Sequence, residues 1–139
     1  MYVVVAAASL LSCDAYLSPP LRVSKQGARA VSALLRTSAV EELVLDNCRL
    51  GDAASGVVAR AVCEPMALLN INRCDVGSIG AAALGGMLSR VSTLTELDVS
   101  WNSIRGSGAV AFSRGLQRNT GLKVHAHGRH DTRQLLNLR

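Results

Sequence analysis

The chain has 139 residues, which is the size of about one domain. Hydrophobic residues make up 49% and charged residues 18%, which excludes a disordered chain, and 12 glycines with 3 prolines exclude a collagen-like one. The formal net charge is +5, and it is concentrated near the C-terminus, where residues 114–139 hold six basic residues and one acid. The sequence therefore predicts a basic C-terminal tail, placed at residues 125–139.

An apolar run, residues 2–12, opens the chain and is followed by Cys13. No basic residue precedes it, so the basic region of a signal peptide is missing, and it is too short to span a bilayer. We expect residues 1–22 to be an N-terminal capping or partial repeat segment, with a buried helix in the apolar run. The four cysteines contain no Cys-x-x-Cys pair, which argues against a secreted disulfide framework and favours a reducing, cytoplasmic location.

A short motif recurs three times, at spacings of 26 and 28 residues. Its copies are residues 43–50, 69–76 and 97–104, and each has the pattern Leu-x-(Leu/Ile/Val)-x-x-(Cys/Asn)-x-(Leu/Val/Ile). Apolar residues at helical spacing follow each copy, and a similar stretch follows Val23. Each unit therefore predicts a short strand, a turn and a helix that runs back. Because side chains alternate along a strand, the first two aliphatic residues of each motif point inward.

One column of the aligned motifs contains Cys48, Cys74 and Asn102, where the chain leaves the strand and turns. A side chain there can bond backbone groups that the sheet no longer pairs. Asn offers a donor and an acceptor, whereas Cys bonds weakly and tolerates burial. We interpret the two cysteines as buried structural thiols, rather than as a metal site or a nucleophile, and the three residues as a structural ladder.

These motifs resemble leucine-rich repeats of the ribonuclease-inhibitor type, which have units of about 28 residues. The resemblance covers residues 23–124 and is most complete from Leu94 to Gly108. It implies an α/β fold, a leucine-rich repeat solenoid that forms a short horseshoe with parallel strands on the concave face and helices on the convex face. The expected organisation is a capping or partial segment at 1–22, a repeat domain at 23–124 and a basic tail at 125–139. Because the array is short, a longer parent chain or a larger assembly is left open.

In such a fold, the strand residues that do not face the core line the concave side, and neighbouring strands stand about 4.8 Å apart. The aligned columns give three rows of neighbours, which are Val44, Asn70 and Asp98; Asp46, Asn72 and Ser100; and Asn47, Arg73 and Trp101. Trp and Arg are enriched in binding hot spots, so we expect this face to bind a partner protein. The alternative is that Trp101 covers the edge of the core.

No catalytic motif is found, and no cofactor or metal is expected, although His125, His127 and His130 form a His-rich tract. The resemblance implies a non-enzymatic protein-interaction module, a scaffold or adaptor, in the cytoplasm or in a cytoskeletal or axonemal assembly. One alternative is GTPase regulation, since Ran GTPase activators have similar repeats. Another is binding of nucleic acid or membrane through the basic tail, which lacks interleaved aromatic residues for base stacking and is less favoured.

Overall fold

The computed structural model describes residues 4–6 and 23–125, and the side chains of residues 23–122. Its strands, each of three residues, are β1 (Val4–Ala6), β2 (Glu42–Val44), β3 (Leu68–Asn70), β4 (Glu96–Asp98) and β5 (Lys123–His125). Its helices are α1 (Lys25–Thr37), α2 (Gly51–Ala61), α3 (Ser78–Leu88) and α4 (Gly106–Arg118). Strands and helices alternate along residues 23–125, as the repeated motif predicts.

The five strands form one parallel sheet in which the spatial order equals the sequence order. The register places Leu43 opposite Leu69 and Leu69 opposite Leu97, so residues in the same motif position lie side by side. Backbone hydrogen bonds continue past the strands, from Leu45 N to Asn70 O at 2.8 Å and from Ile71 N to Asp98 O at 2.9 Å. The mixed helix-and-strand composition with a parallel sheet confirms the α/β class.

The core lies between the sheet and the helices and is almost entirely aliphatic. The middle residue of each of the three central strands is fully buried, and Phe112 is the only aromatic side chain among the buried hydrophobic residues of the described chain. Each helix packs against the next, α1 on α2, α2 on α3 and α3 on α4. Burial of an aliphatic side chain stabilises the fold by about 1.5–3 kcal/mol, so this continuous core is the main source of stability.

Two glycines allow α3 and α4 to approach closely. A Cβ atom on Gly85 of α3 would collide with the backbone carbonyl of Ala111 in α4. A Cβ atom on Gly108 of α4 would collide with the backbone of Ser78 at the start of α3. No other residue type fits at these two crossings without a shift of backbone, because only glycine lacks a Cβ.

The N-terminal apolar run differs from the expected helix. The prediction of a helix across residues 2–12 is wrong for residues 4–6, which form β1 and pair with β2, with Val5 opposite Leu43. Val4 and Val5 are β-branched, and such side chains favour a strand where a neighbouring strand offers hydrogen bonds. The remainder of the run lies outside the described residues. At the other end of the sheet, β5 pairs with β4 and is the last strand of the described chain.

Candidate protein-interaction face

Each of the three central strands leads into a turn with a left-handed backbone residue two positions after its second buried aliphatic residue, and Arg49 and Asp75 are also left-handed, with φ angles of 41° and 55°. The φ angles are 56° at Asn47, 52° at Arg73 and 56° at Trp101. These three residues, Asn47, Arg73 and Trp101, form a column that we call the outer turn row. The residues that follow them point back under the strands and form the inner turn row, which consists of Cys48, Cys74 and Asn102.

Asn102, in the inner turn row, is buried and makes five hydrogen bonds with the backbone of two repeats. Its Oδ1 accepts from the amides of Cys74 at 3.1 Å and Val76 at 2.9 Å. Its Nδ2 donates to the carbonyls of Ile71, Val99 and Ser100, at 2.8, 3.0 and 3.2 Å. Asn102 therefore pairs the backbone groups that the two turns leave without sheet partners.

Cys74 bonds the same kinds of groups one repeat earlier. Its Sγ donates to the carbonyls of Leu45 at 2.9 Å and Asn72 at 3.3 Å. Burial raises the pKa of the Cys74 thiol from its ordinary 9.0 to about 12, and hydrogen bonds from the amides of Cys48 and Leu50 oppose that rise. The thiol therefore remains protonated at neutral pH, and a buried protonated thiol is inert as a nucleophile. The neighbouring Cys48, also buried, donates to Asp46 O at 3.3 Å.

The outer turn row faces solvent. Trp101 is 50% exposed, and the guanidinium carbon of Arg73 lies over its ring, 5.5 Å from the ring centroid. A cation–π contact at an exposed site stabilises by about 0.5–1 kcal/mol. The left-handed backbone costs a residue other than glycine about 1–2 kcal/mol, although Asn tolerates it. Since Arg73 and Trp101 both carry this cost, their stacking contact alone does not offset it.

The side of the sheet opposite the buried leucines is open. We call it the open face and define it by nine residues, which are Glu42, Val44, Asp46, Leu68, Asn70, Asn72, Glu96, Asp98 and Ser100. The residues of the first expected row, Val44, Asn70 and Asp98, are half-buried and lie side by side in the register of the sheet. Asp46 is exposed and Asn72 is half-buried. The two polar side chains of this row, Asn70 and Asp98, also bond the backbone. Asn70 Oδ1 accepts from Asn72 N at 3.0 Å, and Asp98 Oδ1 accepts from Ser100 N at 2.8 Å.

Ser100 is a correction to the expected binding surface. It was expected to line the concave side, but it is only 3% exposed. Its backbone is held on two sides, since its amide bonds the Asp98 carboxylate and its carbonyl accepts from Arg73 N at 3.0 Å. The short hydroxymethyl group does not extend beyond its longer neighbours, whereas the carboxylate of Asp46 at the equivalent position does. Ser100 therefore supports the turn and offers no surface for contact.

This face contains a further row that was not predicted from the sequence. Glu42, Leu68 and Glu96 lie opposite one another in the register, on the same side of the sheet as Val44, Asn70 and Asp98. The signal that would have found them is the two-residue alternation of a strand, since each precedes a first-row residue by two positions. This row contributes two carboxylates on either side of a half-buried leucine.

Among residues 4–6 and 23–125, no three His, Cys, Asp or Glu residues group as metal ligands. His127 and His130 lie outside the described residues. No helix in the described ranges has both the length and the apolar character needed to cross a membrane.

Comparison with known proteins identifies the repeats. The family described as Leucine Rich repeat matches residues 92–113, the segment that contains β4, its turn and the first half of α4. The ribonuclease inhibitor of Mus musculus is 33% identical over 89 residues, which cover 62% of this chain and 20% of the inhibitor. The aligned part therefore spans about a fifth of the length of that relative. A solved structure, Leiomodin-1 Actin-Binding Site 2 (ABS2), superposes with a TM-score of 0.63 at 21% identity, over 84% of this chain and 75% of that one.

These findings agree with the fold and with the turns described above. The family match and the related inhibitor both support leucine-rich repeats of the ribonuclease-inhibitor type, and the resemblance seen in the sequence is confirmed. The similarity to Leiomodin-1 extends the agreement to the fold of most of the chain.

Proposed function

We propose that this chain is a non-enzymatic protein-interaction module, a scaffold or adaptor, that binds a partner protein through the concave strand face of a short horseshoe. In this proposal the repeat domain is residues 23–124, with flanking segments at 1–22 and 125–139. The partner contacts the outer turn row and the open face without Ser100. The array places polar side chains on an open sheet and offers no group of convergent catalytic residues among those described, which suits a broad protein surface.

The observation that carries the proposal is the pair formed by Arg73 and Trp101. Both are in a backbone conformation that costs free energy, and Trp101 exposes half of a large apolar ring to water. The equivalent residue one repeat earlier is Asn47, which tolerates the same conformation without that cost. Residues that break a local rule without a structural gain are typical of functional sites.

The test uses a double variant, Arg73→Asn/Trp101→Asn, that gives all three turns the residue found at position 47. The matched control is Ile79→Ala/Val110→Ala, which removes two exposed apolar side chains from α3 and α4. Both variants are first compared with the wild type by circular dichroism. Affinity capture with mass spectrometry is then expected to lose a partner in the outer-row variant and to keep it in the helix variant. Loss of the same partners from both variants, or from neither, would contradict the proposal.

Two defined proteins are the first partners to test, because the names of the similar proteins point to them. Leiomodin-1 is described by an actin-binding site, and the inhibitor by its action on ribonuclease. Co-sedimentation with filamentous actin and inhibition of a ribonuclease are therefore the first direct assays. Binding to actin would support a cytoskeletal location in the cytoplasm. In either assay, binding that survives the Arg73→Asn/Trp101→Asn change would place the contact elsewhere on the chain.

A further inference from the structure

The open face carries charge of one sign. Of its nine residues four are acidic and none is basic, and the acidic ones are Glu42, Asp46, Glu96 and Asp98. The chain as a whole has a formal net charge of +5. The acidic character is therefore local to this face and opposite to the long-range charge of the molecule. Within residues 23–122, no hydrogen bond or ion pair engages the carboxylates of Glu42, Asp46 or Glu96.

The shape of the face adds a second observation. A shallow depression lies between β3 and β4, and it is lined by Leu68, Leu69, Asn70, Glu96, Leu97 and Asp98. The register places Leu68 between Glu42 and Glu96, so two carboxylates flank an apolar surface at a separation of about 10 Å, twice the strand spacing. Lys and Arg side chains lay their aliphatic stems on apolar surface while the charged end stays in polar surroundings. The depression therefore has the chemistry that one such side chain needs.

Two further groups on the same side of the molecule favour a cationic donor. The ring of Trp101 already holds a guanidinium, that of Arg73, on one side. The side-chain oxygen of Asn72 is buried and accepts no hydrogen bond from the part of the chain that the structure describes. The Trp101 ring thus shows that a cation fits at this end of the face, and the Asn72 oxygen would need a rotation of its side chain to meet a donor from a partner.

We propose that the partner binds the open face through an extended basic segment, and that one Lys or Arg of this segment lies on Leu68 with its charged end between Glu96 and Asp98. This inference rests on the proposed function and specifies its partner. A basic segment matches the four carboxylates, whereas an acidic one would meet like charges along every strand of the face. Lys123 of β5 lies in register with Glu96 of β4, and its single positive charge offsets at most one of the four negative charges.

The experiment uses hexa-arginine as the probe, with hexa-glutamate and an uncharged Gly/Ser hexamer as comparison peptides. Isothermal titration calorimetry at low salt measures the dissociation constants. Fluorescence of Trp101, the only Trp in the chain, reports whether the peptide reaches the end of β4. Glu96 and Trp101 are five residues apart, at most about 18 Å, and an extended hexapeptide spans about 20 Å, so one peptide reaches both. Only hexa-arginine is expected to bind and to change the fluorescence.

Glu96→Gln/Asp98→Asn removes two charges from the depression with little change of shape. It is expected to weaken hexa-arginine binding by about 2- to 30-fold, since each of the two exposed ion pairs is worth about 0.2–1 kcal/mol. The matched control is Glu64→Gln, an exposed acid after α2 whose hydrogen bond from Ser92 an amide oxygen can still accept. The control is expected to change the dissociation constant less than about twofold. Equal binding to the wild type and to Glu96→Gln/Asp98→Asn would overturn the proposal.

Two further comparisons separate the possible failures. If a captured partner is lost with Arg73→Asn/Trp101→Asn but kept with Glu96→Gln/Asp98→Asn, partner binding through the outer turn row is supported. The inference that a basic segment binds the open face is then wrong. If neither variant loses a partner, the proposed function itself fails. Residues 126–139 contain three arginines, and a full-length chain with Arg129, Arg133 and Arg139 changed to Gln tests them. Tighter hexa-arginine binding to that variant would mean that residues 126–139 of the same chain occupy the open face. The proposal of a basic segment on a separate partner would then be overturned.

Discussion

The inner and outer turn rows are neighbours in sequence, yet their residues perform opposite tasks. Cys74 and Asn102 are buried and bond the backbone of the preceding repeat. Arg73 and Trp101, one position earlier, are exposed and hold a left-handed backbone that neither side chain favours. One turn therefore contains a residue that stabilises the array next to a residue that costs it free energy.

This contrast shows how one repeat can place a residue that stabilises the array beside a residue whose side chain is free to vary. The inner residue must pair buried amides and carbonyls, so few residue types are able to occupy it. The outer residue needs only to tolerate the turn, so its side chain is free to vary between repeats. The outer turn row accordingly contains an amide, a guanidinium and an indole, whereas the inner turn row contains two thiols and a carboxamide that all donate to backbone carbonyls.

The largest expected effect is at Asn102. Asn102→Ala leaves two buried amides and three carbonyls without their side-chain partner, and unsatisfied buried groups cost about 1–3 kcal/mol each before relaxation. We expect the free energy of unfolding in urea to fall by about 3–5 kcal/mol. Cys74→Ala removes weaker thiol bonds and is expected to cost about 1–2 kcal/mol. A smaller loss for Asn102→Ala than for Cys74→Ala would contradict the role of the inner turn row.

A second pair of neighbours, Gly85 and Gly86 in α3, extends the contrast to the helices. Gly85→Ala forces a methyl group against the backbone of α4 and is expected to destabilise the protein by about 1–3 kcal/mol. Gly86 is exposed with open space around its Cβ position, so Gly86→Ala is expected to stabilise by about 0.5–1 kcal/mol through helix propensity. Thermal unfolding of the two variants measures both signs. Similar effects at the two positions would be inconsistent with the close crossing of α3 and α4.

The buried thiol of Cys74 predicts a dependence of stability on pH. Its pKa is about 12 in the folded chain against an ordinary 9.0, so the unfolded chain releases this proton first as the pH rises. The stability that the protonated Cys74 thiol contributes to the folded chain is fully present below pH 9 and is lost progressively between pH 9 and 12. Urea unfolding at pH 8 and pH 10.5 is expected to show a smaller decrease in Cys74→Ala than in the wild type. The exposed Cys63 provides the control, because Cys63→Ala is expected to retain the wild-type decrease.

Much of the fold was predictable from the sequence because the motif repeats in phase. A parallel sheet places equal repeat positions side by side, so the columns of the alignment became the register of Leu43, Leu69 and Leu97. The turn position of Asn102 was predictable for the same reason. The chemistry of Asn and Cys then indicated how that position bonds the backbone.

Other features depend on contacts between repeats that a single motif does not encode. Asp52 in the first turn of α2 accepts from the amides of Gly77 and Gly80, both at 2.8 Å, and so caps the next helix, α3, rather than its own. Ser100 is buried by its neighbours although its column is polar. The strand at residues 4–6 depends on β2, which lies far away in sequence, whereas the local run of apolar residues suited a helix equally well.

We propose that the outer turn row serves recognition and not the fold. The most direct test is urea unfolding of Arg73→Asn/Trp101→Asn beside the wild type. The variant loses a stacking contact worth about 0.5–1 kcal/mol and the burial of half of the Trp101 side chain, and it relieves two left-handed residues, so its free energy of unfolding is expected to be unchanged or higher by up to about 1 kcal/mol. A decrease of more than about 1 kcal/mol would mean that Arg73 and Trp101 hold the turns together. The outer turn row would then contribute to stability, and the proposal that it serves recognition alone would be wrong.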